Sequence, residues 1–158
     1  MSIESAALKS VSILRNLTEE EIALLHDLVR TREYQPKEQI LEEGKPVHYF
    51  YMICDGLVHV KRLAQQQELL LGRLGRDDFF GEINLFDTGV ATASVYAVKK
   101  TLVALIQYAD FRAFMAANPH AGFKILEAIM TEMAHRLRHT DTRLVLSVYW
   151  NNLKLEED

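Results

Sequence analysis

Apolar positions change their period twice along this chain. Near the start, Ile22, Leu25, Leu28 and Val29 recur at helical spacing and form one stripe. Thr18 followed by Glu21 is a capping box, in which the hydroxyl accepts from the Glu21 N–H and the carboxylate reaches back. The first thirty residues therefore read as helices. From Arg32 to about Gln107 the runs shorten and fill with β-branched and aromatic residues, as in Tyr49-Phe50-Tyr51-Met52-Ile53-Cys54, Leu57-Val58-His59-Val60-Lys61 and Leu102-Val103-Ala104-Leu105-Ile106. Glu43-Gly44-Lys45-Pro46, Asp55-Gly56 and Gly75-Arg76-Asp77-Asp78 punctuate them as turns. Asp77 is a residue type that tolerates the left-handed backbone region, so it is compatible with a turn there. Asp55-Gly56 between apolar runs predicts a hairpin. Lys99-Lys100 reads as another hairpin turn, and Gln65-Gln66-Gln67 as a hairpin tip.

Helix returns from Asp110 to Ala117. Asn118-Pro119 marks a boundary, with Asn118 as a cap and Pro119 at the first helical position of the next segment. That last helix is expected to run from Pro119 to about Tyr149, with Gly122 as its weak point and Trp150 anchoring its end. The order predicts an α+β fold: an antiparallel β-roll of jelly-roll type, flanked by N-terminal helices and a long C-terminal helix. A single domain is expected over 1–158, with helices in 1–31, the roll in 32–107 and C-terminal helices in 109–150.

Composition changes this picture little. The net charge of −4 argues mildly against a DNA-gripping surface. The single cysteine, Cys54, rules out an intramolecular disulfide and reads as buried filler. The start has no signal-peptide pattern and no apolar run approaches the ~20 residues of a membrane span, so a cytoplasmic location with no membrane partner is expected. His135 and His139 are spaced as a two-His face, but no third ligand accompanies them in register, so no metal is expected. They read instead as an exposed helix face beside Arg136, Arg138 and Arg143. His48 and His59 are isolated, and no nucleophile–base constellation points to an enzyme.

The segment Phe79-Phe80-Gly81-Glu82-Ile83-Asn84-Leu85-Phe86, followed by Ala91-Thr92-Ala93-Ser94, resembles the phosphate-binding cassette of cyclic-nucleotide-binding domains. Other segments resemble that family in the same order. Gln39 to Pro46 is similar to its Glu-Gly-Asp segment, and Tyr51 to Val58 to its Tyr-x-Ile-x-x-Gly-x-Val stretch. Met133-Ala134-His135-Arg136-Leu137-Arg138 is similar to the long helix of catabolite-activator-type regulators. The likeness runs from about Leu14 to Leu144.

The resemblance implies a cassette at 79–94, with a one-turn helix opened by Gly81 and Glu82. Glu82 would accept from a ribose 2′-hydroxyl, and the N–H groups of Ile83 and Asn84 would face a cyclic phosphate. The family's phosphate-pairing Arg falls on Thr92, and Ala93 falls where a hydroxyl is usual. Shifting the register by one places Ser94 at the hydroxyl and Ala93 at the Arg position. A partly buried anion without its charged partner loses about 2–5 kcal/mol. That is roughly thirty-fold to several-thousand-fold in affinity. Cations that could replace the Arg are Arg73, Arg76, Lys99 and Lys100, of which Arg73 on its strand is the leading one. Thr140 and Asp141 fall where activator-type proteins touch the base.

Leu126, Met130, Met133, Leu137, Thr140, Leu144 and Ser147 alternate by four and three, a coiled-coil seam. Phe123, Ile129 and Val148 lie off it and are expected to cover the roll. The resemblance implies a homodimer through this helix. About ten residues follow Val148 and are acidic, too short for a DNA-reading module, so direct DNA binding is not expected. Two functions remain. One is a stand-alone regulatory or sensor domain that binds cAMP, cGMP or a related small ligand, the cyclic nucleotide only weakly. The alternative is a ligand-independent dimeric interaction module that docks a protein partner and carries a degenerate pocket.

Overall fold

The computed structural model describes the backbone of residues 5–156 and the side chains of 5–148. Trp150 lies outside the described side chains. Helix α1 (Ser5–Ser10), a 3-10 turn (Ser12–Leu14) and α2 (Glu19–His26) precede the strands. The capping box forms as expected: Thr18 N–H donates to Glu21 Oε2 at 2.8 Å and Glu21 N–H to Thr18 Oγ1 at 3.2 Å. Glu21 also receives Lys124 Nζ at 3.0 Å, so one carboxylate caps α2 and ties it to the last helix. Hydrogen bonding from the Thr18 N–H, followed by the Lys124 cation, lowers its pKa against the cost of burial.

Eight strands follow: β1 (Arg30–Tyr34), β2 (Gln39–Leu41), β3 (Tyr49–Asp55), β4 (Leu57–Ala64), β5 (Gln67–Gly75), β6 (Phe79–Phe80), β7 (Ser94–Ala97) and β8 (Thr101–Gln107). They form two four-stranded sheets, ordered β1-β8-β3-β6 and β2-β7-β4-β5. The four-residue helix α3 (Ile83–Phe86) interrupts them, and α4 (Tyr108–Ala117) and α5 (Pro119–Glu156) close the chain.

Strand alternation builds two cores. In β3, Phe50 and Met52 face the helices while Tyr51 and Ile53 face the space between the sheets. A strand buried on both sides needs an unbroken apolar run, which is what Tyr49 to Cys54 supplies. Phe79 and Phe80 divide likewise, one toward each core.

Two expected hairpins are crossings between sheets. β3 pairs with β6 and β8, and β4 with β5 and β7, so Asp55-Gly56 joins the two sheets and is not a hairpin turn. Gly56 has φ +115° there and packs on the backbone of Thr101, leaving no room for a Cβ. Lys99-Lys100 likewise joins β7 in one sheet to β8 in the other. The hairpin that does form is β4–β5, turned by Gln65 (φ 48°) and Gln66 (φ 66°).

Asn118 differs too. Its side-chain amide donates back to Phe114 O at 3.0 Å and closes α4, while its carbonyl accepts from Gly122 N–H. Gly122 is a packing point: a Cβ there would lie 2.7 Å from Met115 O, so α4 and α5 meet through its bare backbone. On α5, Ile125 and Ile129 face the core. Phe123 and Val148, expected on the roll, are 67% and 51% exposed. At 100° per residue, Phe123 sits about 200° round the helix from Ile125.

Candidate functional site

Gly81 has φ +82° and a Cβ there would lie 2.8 Å from Tyr49 O, so this position needs glycine for both conformation and space. Tyr108 Oη donates to the Gly81 carbonyl, and Arg112 Nη1 donates to Leu85 O at 3.2 Å. Helix α4 therefore holds both ends of the α3 turn. Burial raises the Tyr108 pKa and pushes that of Tyr51 up to about 12, so both phenols stay protonated.

Glu82 is the residue before α3, and its side chain is 10% exposed. Its partner comes from α5. Arg136 Nη1 donates to Glu82 Oε1 at 3.0 Å, Nη2 to Phe79 O at 2.8 Å and Nε to Glu132 Oε1 at 3.0 Å. The guanidinium also lies 4.7 Å from the centre of the Phe79 ring. Three directional contacts and a cation–π face fix this side chain far more tightly than a surface arginine.

These groups border a cavity of about 100 Å³. Its apolar wall is Leu41, Val60, Leu74, Phe80, Ala91 and Val95. Its other lining residues are Gly81, Glu82, Ile83, Asn84, Thr92, Ala93 and Arg136. The volume is below the ~300–1,000 Å³ usual for small-molecule sites, so it encloses a fragment and leaves the rest of a larger ligand at the mouth.

The structure thus brings together Gly81, Glu82, Ile83, Asn84, Thr92 and Ala93. Asn84 is 7% exposed and its amide donates to Val90 O at 3.1 Å, stapling the loop after α3. Ser94 points elsewhere: its hydroxyl accepts from Glu43 N–H at 2.9 Å and borders an outer groove with Tyr96 and Lys61. Thr140 and Asp141 are exposed on α5, and neither lines the cavity. Arg73 is exposed and does not line it either. Arg76 sits 3.9 Å from Asp77, and Lys100 pairs with Glu33 at 3.1 Å. Among the described residues the one cation lining the cavity is Arg136.

Sequence reasoning placed Arg136 on an exposed face with His135 and Arg138. The signal that would have found it is helical period. Arg136 follows Ile125 by eleven and Ile129 by seven, so it continues the core-facing stripe. Arg143, seven further on, continues it again and donates to Leu71 O at 2.9 Å. β5 is an edge strand and carries a bulge at this point: Val60 pairs with Gly72 and Lys61 with Leu70, leaving Leu71 unopposed.

On the seam, Met130, Leu137 and Leu144 are 64%, 63% and 62% exposed and Leu126 is 38% exposed. Met133 packs against the core instead. Among the described residues no three His, Cys, Asp or Glu side chains are placed to hold a metal, and no helix is long and apolar enough to cross a membrane.

The CRP-like cAMP-activated global transcriptional regulator of Mycobacterium tuberculosis is 28% identical over 138 residues, 87% of this chain. The chain spans 60% of that regulator's length. The crystal structure of Thermus thermophilus catabolite activator protein superposes with a TM-score of 0.74 at 28% identity, covering 85% of this chain and 62% of that one. A cyclic nucleotide-binding domain from Methylobacillus flagellatus KT superposes with a TM-score of 0.81 at 20% identity, covering 89% and 84%. Residues 31–118 match the family described as the cyclic nucleotide-binding domain. With the cassette turn, the two-sheet roll and the α5 side chain that closes on it, the chain belongs to the cyclic nucleotide-binding domain family.

Proposed function

We propose that this chain is a regulatory domain in which a small ligand, bound between the cassette and α5, biases the position of α5. One observation carries the reading: Glu82 of the cassette and Arg136 of α5 meet at the cavity, 3.0 Å apart. A ligand that engages Glu82 changes the contact that docks α5, so binding and helix position are linked. The mycobacterial relative is named as cAMP-activated, which supports a ligand of this general kind. Cyclic nucleotide affinity is expected to be low, because Thr92 supplies no charge. Titration calorimetry with cAMP and cGMP on the native chain and on Thr92→Arg tests this. Saturable binding gained by Thr92→Arg supports a site that lacks only its cation. Silence from both proteins at millimolar nucleotide would refute it for these ligands.

The other side of α5 favours a second reading, a dimeric interaction module. Phe123, Met130, Leu137 and Leu144 recur every seven residues and are each more than 60% exposed. A stripe of that length covered by a second copy suits a parallel pair of helices. Homodimerisation through it, with or without a protein partner, is tested by sedimentation equilibrium.

A further inference from the structure

One strand of the roll has an open side. β5 is the edge of the sheet ordered β2-β7-β4-β5, and among the described residues no strand pairs with it beyond β4. Its nine residues, Gln67–Gly75, include no proline and no lysine, the residues that most often keep an edge from pairing. Leu69, Leu70 and Leu71 lie along it and are 48%, 38% and 43% exposed. Unpaired backbone groups flanked by exposed leucines are a template for another strand.

The bulge decides which strand fits. On β4, Val58 and Val60 face the roll interior, so His59, Lys61 and Leu63 face out. Arg73 stands opposite His59 and Glu68 opposite Leu63, so both face out as well. Five residues apart, they would lie on opposite faces of a regular strand, and the extra residue Leu71 puts them on one. A second copy of β5, antiparallel about a two-fold axis between Leu70 and Leu71, sets Glu68 against the second copy's Arg73 and Leu69 against its Gly72. The same contacts repeat across the axis. In each of these pairs both positions belong to the same face. Slipping by one residue sets Glu68 against Gly72 or Leu74, which are positions of the other face, and slipping by two loses the charge pair. Glu68 gives one oxygen to Lys61 at 3.3 Å and keeps the other, and Arg73 has no ion pair or hydrogen bond among the described residues.

Arg143 controls access to this edge. Its Nη1 donates to Leu71 O at 2.9 Å, beside the axis, so a second strand would meet a guanidinium at the centre of the register. We propose that β5 is a docking edge for β5 of a second copy, in the register that opposes Glu68 and Arg73, and that Arg143 keeps it closed while α5 is docked. The contact needs no ligand in the cavity and is separate from the stripe on α5. Two unrelated two-fold contacts on one chain would string copies into an open chain, which gives the guard its use.

Sedimentation equilibrium tests this in a Leu137→Asp background, which charges the α5 stripe. Removing the guard with Arg143→Gln should tighten self-association by about two- to tenfold. In that double variant, Glu68→Arg or Arg73→Glu sets like charges opposite each other twice and should weaken association at least about fivefold. The two reversed proteins should associate when mixed, because each then meets the opposite charge at both positions. The recovered association should weaken as salt is raised. All four substituted positions are exposed, and the mixture succeeds only if both proteins are folded. Association unchanged by Arg143→Gln overturns the guard. A double variant that stays monomeric at about millimolar protein, or reversed proteins that fail to associate on mixing, overturns the docking edge.

Discussion

Removing the Arg136 guanidinium should destabilise the folded domain more than any exposed arginine would. In Arg136→Gln, Glu82 keeps a carboxylate that is 10% exposed and loses its 3.0 Å partner. Phe79 O loses its 2.8 Å donor at the same time. Breaking a fully buried pair from one side costs about 3–5 kcal/mol. Arg136 is 28% exposed, so water reaches part of the vacated space and about 2–3 kcal/mol is the better figure. For a domain of this size that corresponds to a fall in Tm of about 4–12 °C. Glu82→Gln removes the charge that needs the guanidinium, so the double variant should be less damaged than the two single changes together. The expected coupling is about 1–3 kcal/mol, read from urea unfolding of all four proteins at one protein concentration. Additivity within about 0.5 kcal/mol would mean that the pair is not formed in solution, and the link between cassette and α5 would have no physical basis.

Three further outcomes follow from particular contacts. Gly122→Ala drives a methyl to 2.7 Å from Met115 O and should cost about 1–3 kcal/mol, seen as a lower urea midpoint, although alanine favours helices elsewhere. The Glu21 pKa is lowered in the folded state, so its contribution is complete above its unfolded value near 4.5 and is lost as pH falls through the lower folded value. Glu21→Gln keeps the capping geometry and should flatten the acid limb of a stability–pH curve in that window, lowering stability at neutral pH and leaving it nearly unchanged where Glu21 is already protonated. Leu137→Asp, at an exposed seam position, should weaken self-association at least tenfold by sedimentation equilibrium while leaving the monomer's thermal midpoint nearly unchanged.

What the sequence disclosed depended on whether a feature was local. The Thr18–Glu21 box, the two-glutamine turn, the positive φ of Asp77 and the helical stretch after Pro119 are decided within a few residues, and all were legible. Asp55-Gly56 was misread because a tight reversal with φ > 0 serves a hairpin and a sheet crossing equally well. Only the partners of β3 and β4, decided by distant strands, separate the two. At Asn118 the helix boundary was read correctly and only the side chain was misread, since an amide between two helices can close one or open the other. In the cassette, Gly81 and Glu82 were found by their motif. Ser94 was carried along by adjacency, yet β7 alternates its side chains: Val95 faces the roll, so Ser94 faces out to Glu43. Arg136 was missed because charge was taken as a sign of exposure, when helical period placed it with Ile125 and Ile129.

That period also explains how one helix serves two surfaces. Arg136 and Leu137 are adjacent in sequence and about 100° apart on α5. The first reaches the cavity through Glu82; the second is 63% exposed on the seven-residue stripe. A turn of the helix about its axis that frees Arg136 from Glu82 must also swing Leu137 round the stripe. The same turn pulls Arg143 from the bulge carbonyl of Leu71, so the polar contacts of Arg136 and Arg143 are both exposed to it. Under the proposed function, a ligand that competes for Glu82 would act on the seam without touching it, and a partner seated on the seam would act on the cavity by the same rotation. Such a linkage would be reciprocal: whatever ligand affinity a partner adds or removes, the ligand would add or remove in partner affinity by the same factor.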